Sequence, residues 1–273
     1  MISINTNYGG IFAAKASSQS QASVDSAMEK LSTGKRINFA KDDAAGQAIA
    51  TRLNAEIDGL AMASRNAADA QSMLDTAEGA LTETHTILLR MRELAVQSAN
   101  GTLTDADRDH TDAEFQQLGA EIKRIAENTK WAGTSLIDGT ASALEFQVGE
   151  GPNQKITVAI ADMDVDATGI ALDDDDLQSA ANAQTAIGAL DTAIATVSTE
   201  RGSLGAYSNR LTSTMNNLDQ VNINLSNSKG RIEDADFAAE TGNLAKGQIL
   251  QQAATAMLAQ ANASKQQVLT LIR

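Results

Sequence analysis

The chain has 273 residues, of which 42% are hydrophobic but only 3% aromatic, so a sizeable core is available and must be built from Leu, Ile, Val, Met and many alanines. A formal charge of −14 speaks against nucleic acid as a partner, because phosphate backbones are bound by Lys and Arg. The absence of cysteine excludes disulfides, thiolate nucleophiles and Cys-ligated metals.

No run approaches the roughly 18 consecutive apolar residues of a membrane span, and the first residues lack the basic start and apolar core of a cleavable signal peptide. Neither membrane insertion nor general secretory export is therefore expected. Met1 to Lys41 carries small polar residues, with Ile4, Ile11 and Met28 isolated among them. Ordering backbone costs about 1–2 kcal/mol per residue, whereas a fully buried Leu returns about 1.5–3 kcal/mol, so this end needs neighbours.

Next comes a heptad ladder, Leu53, Leu60, Ala67, Leu74, Leu81, Leu88 and Ala95, with Ala63, Ala70, Ala77 and Met91 completing a two-position seam. It predicts one helix from about Asp43 to Asn100, on the order of 85 Å long at 1.5 Å per residue. Thr104 reads as the N-cap of a shorter helix, with Asp105 and Asp107 in its first turn and Phe115, Leu118, Ile122 and Ile125 on its apolar face. Leu144 to Gly149 and Lys155 to Ala161 read as two short strands around the turn Glu150 to Asn153, which holds the only proline, Pro152. Asp162 to Asp176 is acidic and reads as a solvated loop.

A second ladder follows, Leu190, Val197, Leu204, Leu211, Leu218, Leu225 and Ile232, with Ile187, Ile194, Met215 and Val221 beside it. It predicts a helix from about Leu177 to Ser228. The last run, Phe237 to Arg273, places Leu244, Leu258 and Ile272 on a seven-residue frame beside Ala254, Ala261 and Val268, but Gln251 and Lys265 interrupt it. The fold class expected is mainly α: an elongated bundle of long antiparallel helices, with terminal coiled-coil helices and a small β-hairpin region.

Signals of chemistry are weak. Asp162, Asp164, Asp166 and Asp173 occupy positions 1, 3, 5 and 12 of a calcium-loop pattern, but Ala167 stands where the turn needs glycine, so the stretch reads as solvated carboxylates. The two histidines, His85 and His110, have no serine or cysteine at catalytic spacing and read as surface residues. Glycine-rich phosphate loops are absent. No catalytic, cofactor-binding or metal residue is expected, and the chain does not read as an enzyme.

Four stretches together resemble the bacterial flagellins. The first is Ile4-Asn5-Thr6-Asn7 followed by Leu31-Ser32-Thr33-Gly34-Lys35-Arg36-Ile37-Asn38 and Asp42-Asp43-Ala44-Ala45-Gly46. The second is Arg90-Met91-Arg92-Glu93-Leu94-Ala95-Val96-Gln97-Ser98-Ala99-Asn100-Gly101, and the third is Asn128-Thr129-Lys130-Trp131-Ala132-Gly133 with Leu136. The fourth spans Asn224-Leu225-Ser226, Arg231-Ile232-Glu233-Asp234-Ala235-Asp236 and the terminal Val268-Leu269-Thr270-Leu271-Ile272-Arg273.

The resemblance implies a secreted structural protein that polymerises into the filament of the bacterial flagellum for swimming motility. Residues 1–41 and 230–273 would form the inner-tube assembly domain, with Ile4, Ile11, Leu31, Leu244, Leu258, Val268 and Ile272 as its contacts. Residues 42–140 and 177–229 would form the rod, whose core is Leu53, Leu60, Leu74, Leu81, Leu88, Leu190, Val197, Leu204, Leu211, Leu218 and Leu225. Residues 141–176 would be a short variable segment facing outward, too short for the outer domains of larger family members.

Partners implied in the same way are further copies of the chain, sibling flagellins, the flagellar export machinery with its chaperone, and the hook-associated and cap proteins. In flagellins resembling this chain, positions matching Arg90, Leu94 and Glu114 are read by a Toll-like innate immune receptor; the alternative is that Leu94 packs inside while the charges form a solvated face. Competing functions are a hook–filament junction protein and a monomeric helical binding module or secretion chaperone.

Overall fold

A computed structural model describes residues 6–141, 143–165, 169–172 and 175–271, with side chains up to residue 264. Ile4, Asp166, Ala167, Asp173 and Ile272 lie outside the described residues, as does the Val268 side chain. In chain order the elements are helices α1 (Tyr8–Thr33), α2 (Ala44–Ser98) and α3 (Asp105–Asn128), strands β1 (Lys130–Trp131), β2 (Thr134–Ser135), β3 (Leu144–Gln147) and β4 (Lys155–Val158), and helices α4 (Ala180–Glu233) and α5 (Phe237–Leu271). The chain divides into a terminal unit, Met1–Ile57 with Ile223–Arg273, and a central unit, Asp58–Asn222.

The central unit owes its core to the heptad spacing. On α2, Leu60, Ala67, Leu74, Leu81, Leu88 and Ala95 are buried, as are Ala63, Ala70, Ala77 and Met91; on α4, Leu190, Val197, Leu204, Leu211 and Leu218 are buried. Alanines on both helices let the backbones approach closely, and α3 adds Phe115 and Ile122 to the same cluster, with Leu118 and Ile125 half-buried against it. The α2 and α4 helices run antiparallel: going up α2, Ser64, Gln71, Glu78 and Arg92 meet Asp219, Ser208, Arg201 and Asp191 going down α4. These rungs mark the seam's polar edge, and their half-exposed ion pairs add little, on the order of 0–1 kcal/mol each.

Helix α3 starts with a full capping box, in which Thr104 Oγ1 accepts from Asp107 N and the Asp107 carboxylate accepts from Thr104 N. The Thr104 hydroxyl, and after it the Thr104 N–H, hold the Asp107 carboxyl below the ordinary range. Strands β1 and β2 form a tight hairpin whose turn residues, Ala132 at φ 48° and Gly133 at φ 88°, are both left-handed, as a type I′ turn requires. Strands β3 and β4 pair from Leu144↔Val158 to Gln147↔Lys155, and Ile156 and Val158 turn into the core. Both strands are shorter than expected from the alternation alone.

The acidic stretch corrects an expectation. The described residues of 162–176 are not a solvated loop: Met163, Val165, Ile170 and Leu172 join the helical core, and Asp164 is itself buried, its carboxylate accepting from Val165 N at 2.7 Å. Apolar side chains threaded between the aspartates bury themselves while Asp162, Asp175 and Asp176 stay half-exposed, so the charge count concealed the apolar pattern. Helix α4 also departs at both ends. It starts at Ala180 rather than Leu177, whose N–H is taken by Asp112 Oδ1, and it runs on to Glu233. Along its last turns the core thins, with Val221 exposed and Leu225 half-buried.

In the terminal unit α1 and α5 pair antiparallel, with Asn7 to Asn262, Gln21 to Gln251 and Lys30 to Glu240 as successive cross-links. A Cβ at Gly247 would stand 2.8 Å from Val24 Cγ2, which is why glycine lets the helices come this close. The first partner of each end is therefore the other end of the same chain. At the close of α1, Gly34 takes a left-handed φ of 71° and stops the helix.

Candidate assembly surface

The pairing of α1 with α5 covers little of what these helices carry. In the terminal unit only Ala13, Val24, Ala27, Ile37, Ala50, Leu53 and Ala254 are buried apolar residues among those described. The larger ones face out: Tyr8 and Phe12 are each 71% exposed, Ile249 66% and Ile11 61%, with Met28, Leu250 and Met257 near half. A shallow groove lined by Ala22, Ser23, Ser26, Ala27, Gly247 and Leu250 runs between the two helices. Exposed apolar area on this scale is unusual for a solitary chain and marks a contact surface.

Of the contacts expected at the termini, Ile11 lies on this exposed face, while Leu31, Leu244 and Leu258 are half-buried. The residues with the greatest exposure, Tyr8, Phe12 and Ile249, were missed, because a search for seven-residue frames rewards positions that pack within the chain and passes over those left outside.

A further exposed aromatic is held by its backbone. The loop after α1 is clasped to the α4–α5 junction: Ala235 N donates to Gly34 O at 2.9 Å, Arg36 N to Glu233 O at 2.7 Å, and Arg36 Nη2 to Ile232 O at 2.6 Å, while Lys35 pairs with Glu233. Ile37 is buried beneath. At the tip, Asp42 Oδ2 accepts from Asn38 N at 3.2 Å and Phe39 N at 3.0 Å, and Asp42 N donates to Phe39 O at 2.9 Å. The Phe39 N–H is the leading cause of a lowered Asp42 carboxyl. Phe39 itself is half-exposed, with Lys41 Nζ 4.8 Å from its ring centre.

In the central unit Arg90 pairs with Glu114 at 2.9 Å and with Glu93 at 3.0 Å, and the hydrogen bonds it donates to those carboxylates, Glu114 first, raise its guanidinium pKa. Leu94 does not share that surface. It is 2% exposed and belongs to the core, which corrects its expectation as a contact residue, whereas Arg90, Glu93 and Glu114 are exposed. His110 is exposed, but His85 is half-buried with Nδ1 enclosed and no hydrogen-bond partner among the described residues, which corrects its reading as a surface residue. It lies one heptad from both Glu78 and Arg92, on the edge that faces α4.

A buried polar corner also escaped the sequence. Arg108, buried despite its charge, donates from Nε to Ser98 O at 2.9 Å and from Nη2 to Asn100 O at 3.1 Å, and pairs with Asp105; Ser98 Oγ meets Thr111 Oγ1 at 2.8 Å. Nothing in the local pattern distinguishes Arg108 from the exposed arginines. Among the described residues no group of three His, Asp or Glu side chains could hold a metal ion, and no helix is long and apolar enough to cross a membrane.

The family model for the bacterial flagellin N-terminal helical region matches residues 4–142, and that for the C-terminal helical region matches residues 187–272. The chain is 47% identical over 247 residues to a flagellin of Halalkalibacterium halodurans, covering 90% of this chain and 91% of that protein. It is 38% identical over 284 residues to the flagellar filament 33 kDa core protein of Treponema phagedenis, covering 99% of each. Among solved structures, Bacillus cereus flagellin is similar with a TM-score of 0.51 and 40% identity, over 56% of this chain and 88% of that one.

Proposed function

The chain belongs to the bacterial flagellins and is a structural subunit of the flagellar filament, and from that premise we propose that the outward apolar face of α1 and α5 is where one copy grips the next. The observation that carries this reading is the exposure of Tyr8, Ile11, Phe12, Ile249, Leu250 and Met257 on a paired but thinly covered pair of helices. Burying each large apolar side chain is worth about 1.5–3 kcal/mol, so several per copy add to the α1–α5 pairing against the backbone entropy of holding the ends in place. Repeated head-to-tail contact that does not close into a ring grows an open helical polymer.

The central unit, with the adjoining turns of α2 and α4, is the rod, folded before assembly, with Leu53, Leu60, Leu74, Leu81, Leu88, Leu190, Val197, Leu204, Leu211, Leu218 and Leu225 as its packing line. Phe39, fixed by Asp42 and flanked by Lys41, is a further anchor between copies, since an aromatic on a rigid backbone loses little entropy on docking and a lysine suits a neighbour of net charge −14. The role is structural and not enzymatic. The filament lies outside the cell, the chain reaches it through the flagellar export channel with an export chaperone, and hook-associated, cap and sibling flagellin proteins adjoin it. A Toll-like receptor that reads this chain contacts Arg90 and Glu114.

The test removes residues 1–41 and 244–273. The remaining chain should stay a strongly helical monomer that does not elongate filament seeds, and in the full-length monomer the amides of α1 and α5 should exchange faster than those of the central unit, gaining protection only in the polymer. Normal filaments from the trimmed chain, or full protection of both ends in free monomer, would contradict assembly-driven ordering.

A further inference from the structure

Helix α2 ends at Ser98, and the chain turns through Ala99, Asn100, Gly101 and Thr102 before α3 is capped by Thr104. This turn holds the one Asn-Gly pair in the sequence. Without a Cβ, Gly101 puts little in the way of its own nitrogen approaching the preceding side chain, and Asn100 is exposed to solvent.

Both halves of a reaction between them are held by fixed donors. Thr102 N donates to Asn100 Oδ1 at 3.2 Å, drawing charge onto the oxygen of the side-chain amide as a preorganised donor does where an oxyanion forms. The Asn100 main-chain carbonyl accepts from Arg108 Nη2 at 3.1 Å and from Leu103 N at 3.3 Å. Withdrawing electron density from that peptide makes its N–H, which belongs to Gly101, easier to deprotonate. Arg108 is in place beforehand, enclosed and tied to Ser98 O and Asp105. The Gly101 N–H makes no hydrogen bond among the described residues, so its nitrogen is not engaged elsewhere.

We propose that this corner is a self-modifying site, at which the Gly101 nitrogen closes on Asn100 Cγ and the asparagine becomes aspartate or isoaspartate. The nitrogen gives its proton to solvent base and bonds to Cγ; the bond from Cγ to Nδ2 breaks, and the amide nitrogen takes up a proton and departs as ammonia, leaving a five-membered succinimide. Water adds to either ring carbonyl and opens it. No atom is oxidised or reduced, and water is the only co-reactant. Both products place a carboxylate at the corner beside Arg108. Isoaspartate also routes the main chain through the side-chain methylene, which moves the carbonyl that Arg108 now holds.

The experiment follows the full-length monomer at neutral pH by peptide mass mapping, with enzymatic isoaspartate detection. Asn100 should convert faster than any other asparagine, and faster in the folded chain than in the same chain unfolded in urea, where the three donors are lost. G101A is accommodated, since a Cβ there meets nothing within 4 Å, and should slow conversion by crowding the attacking nitrogen, while R108Q should slow it by about tenfold, the rate equivalent of one charge-assisted interaction. A rate no greater in the folded chain than in urea overturns the proposal, as does an unchanged rate in R108Q that keeps the wild-type circular dichroism. If R108Q does not fold, the comparison with urea decides alone.

Discussion

In the central unit a leucine every seventh residue ends inside, so that Leu74, Leu81 and Leu88 on α2 and Leu190, Leu204 and Leu211 on α4 are each at most 2% exposed. In the terminal unit the helices are just as regular, yet Phe12, Ile11 and Ile249 end outside at 61–71% exposure. The difference lies in how many neighbours each helix has. Two long helices, α3, a hairpin and the buried residues Met163, Val165, Ile170 and Leu172 surround the central seam, whereas α1 and α5 have chiefly each other, and two helices cover only one stripe apiece. A helix whose apolar residues spread wider than one stripe is built for more than one partner, which is the ground for proposing that other copies cover α1 and α5.

The largest effect should come from charging the two units in the same way. Leu81→Asp or Leu211→Asp puts an unpaired carboxylate into the central core and should lower monomer stability by about 4–5 kcal/mol or unfold the unit. Ile249→Asp should change monomer stability by no more than about 0.5 kcal/mol while abolishing growth from seeds. Thermal melts and light scattering separate these outcomes; equal destabilisation of the monomer by both would erase the contrast between the units.

A middle-sized effect sharpens where the central unit ends. Because Leu172 is 5% exposed within the core, Leu172→Ala should cost about 2–5 kcal/mol by urea titration. A loss below about 0.5 kcal/mol, the range of an exposed site, would return the acidic segment to solvent.

The smallest effect concerns Glu200, whose carboxyl is pushed up by burial, against which the Ala161 N–H at 3.3 Å works only in part. A carboxyl raised on folding lends stability while protonated, below the ordinary glutamate range, and loses it as pH rises through the raised value. Glu200→Gln keeps an acceptor for Ala161 and should therefore raise the melting temperature slightly at neutral pH, with the gain vanishing in acid. A gain that persists unchanged in acid would point to packing rather than charge.

Much of this was legible in one dimension. The ladders from Leu53 to Ala95 and from Leu190 to Leu218, the Thr104 cap and the turn around Pro152 are local patterns, because helix periodicity, capping and turn chemistry act over a few residues. The acidic stretch misled for the same reason: its aspartates are conspicuous locally, while the burial of Met163, Val165, Ile170 and Leu172 depends on helices far away in sequence.

By itself the sequence determined that α2 and α4 are long helices, with α2 bounded to within two residues and α4 to within five, where α3 starts, and which edge of α2 and α4 turns inward. Only the tertiary structure decided that α1 answers α5, that Leu94 is covered while Arg90 and Glu114 are not, that Arg108 closes the α2–α3 corner, and that Tyr8, Phe12 and Ile249 are left uncovered. The physical reason is one of range: backbone hydrogen bonds and side-chain periodicity are set by neighbours three to seven residues apart, whereas burial is set by whichever distant surface arrives.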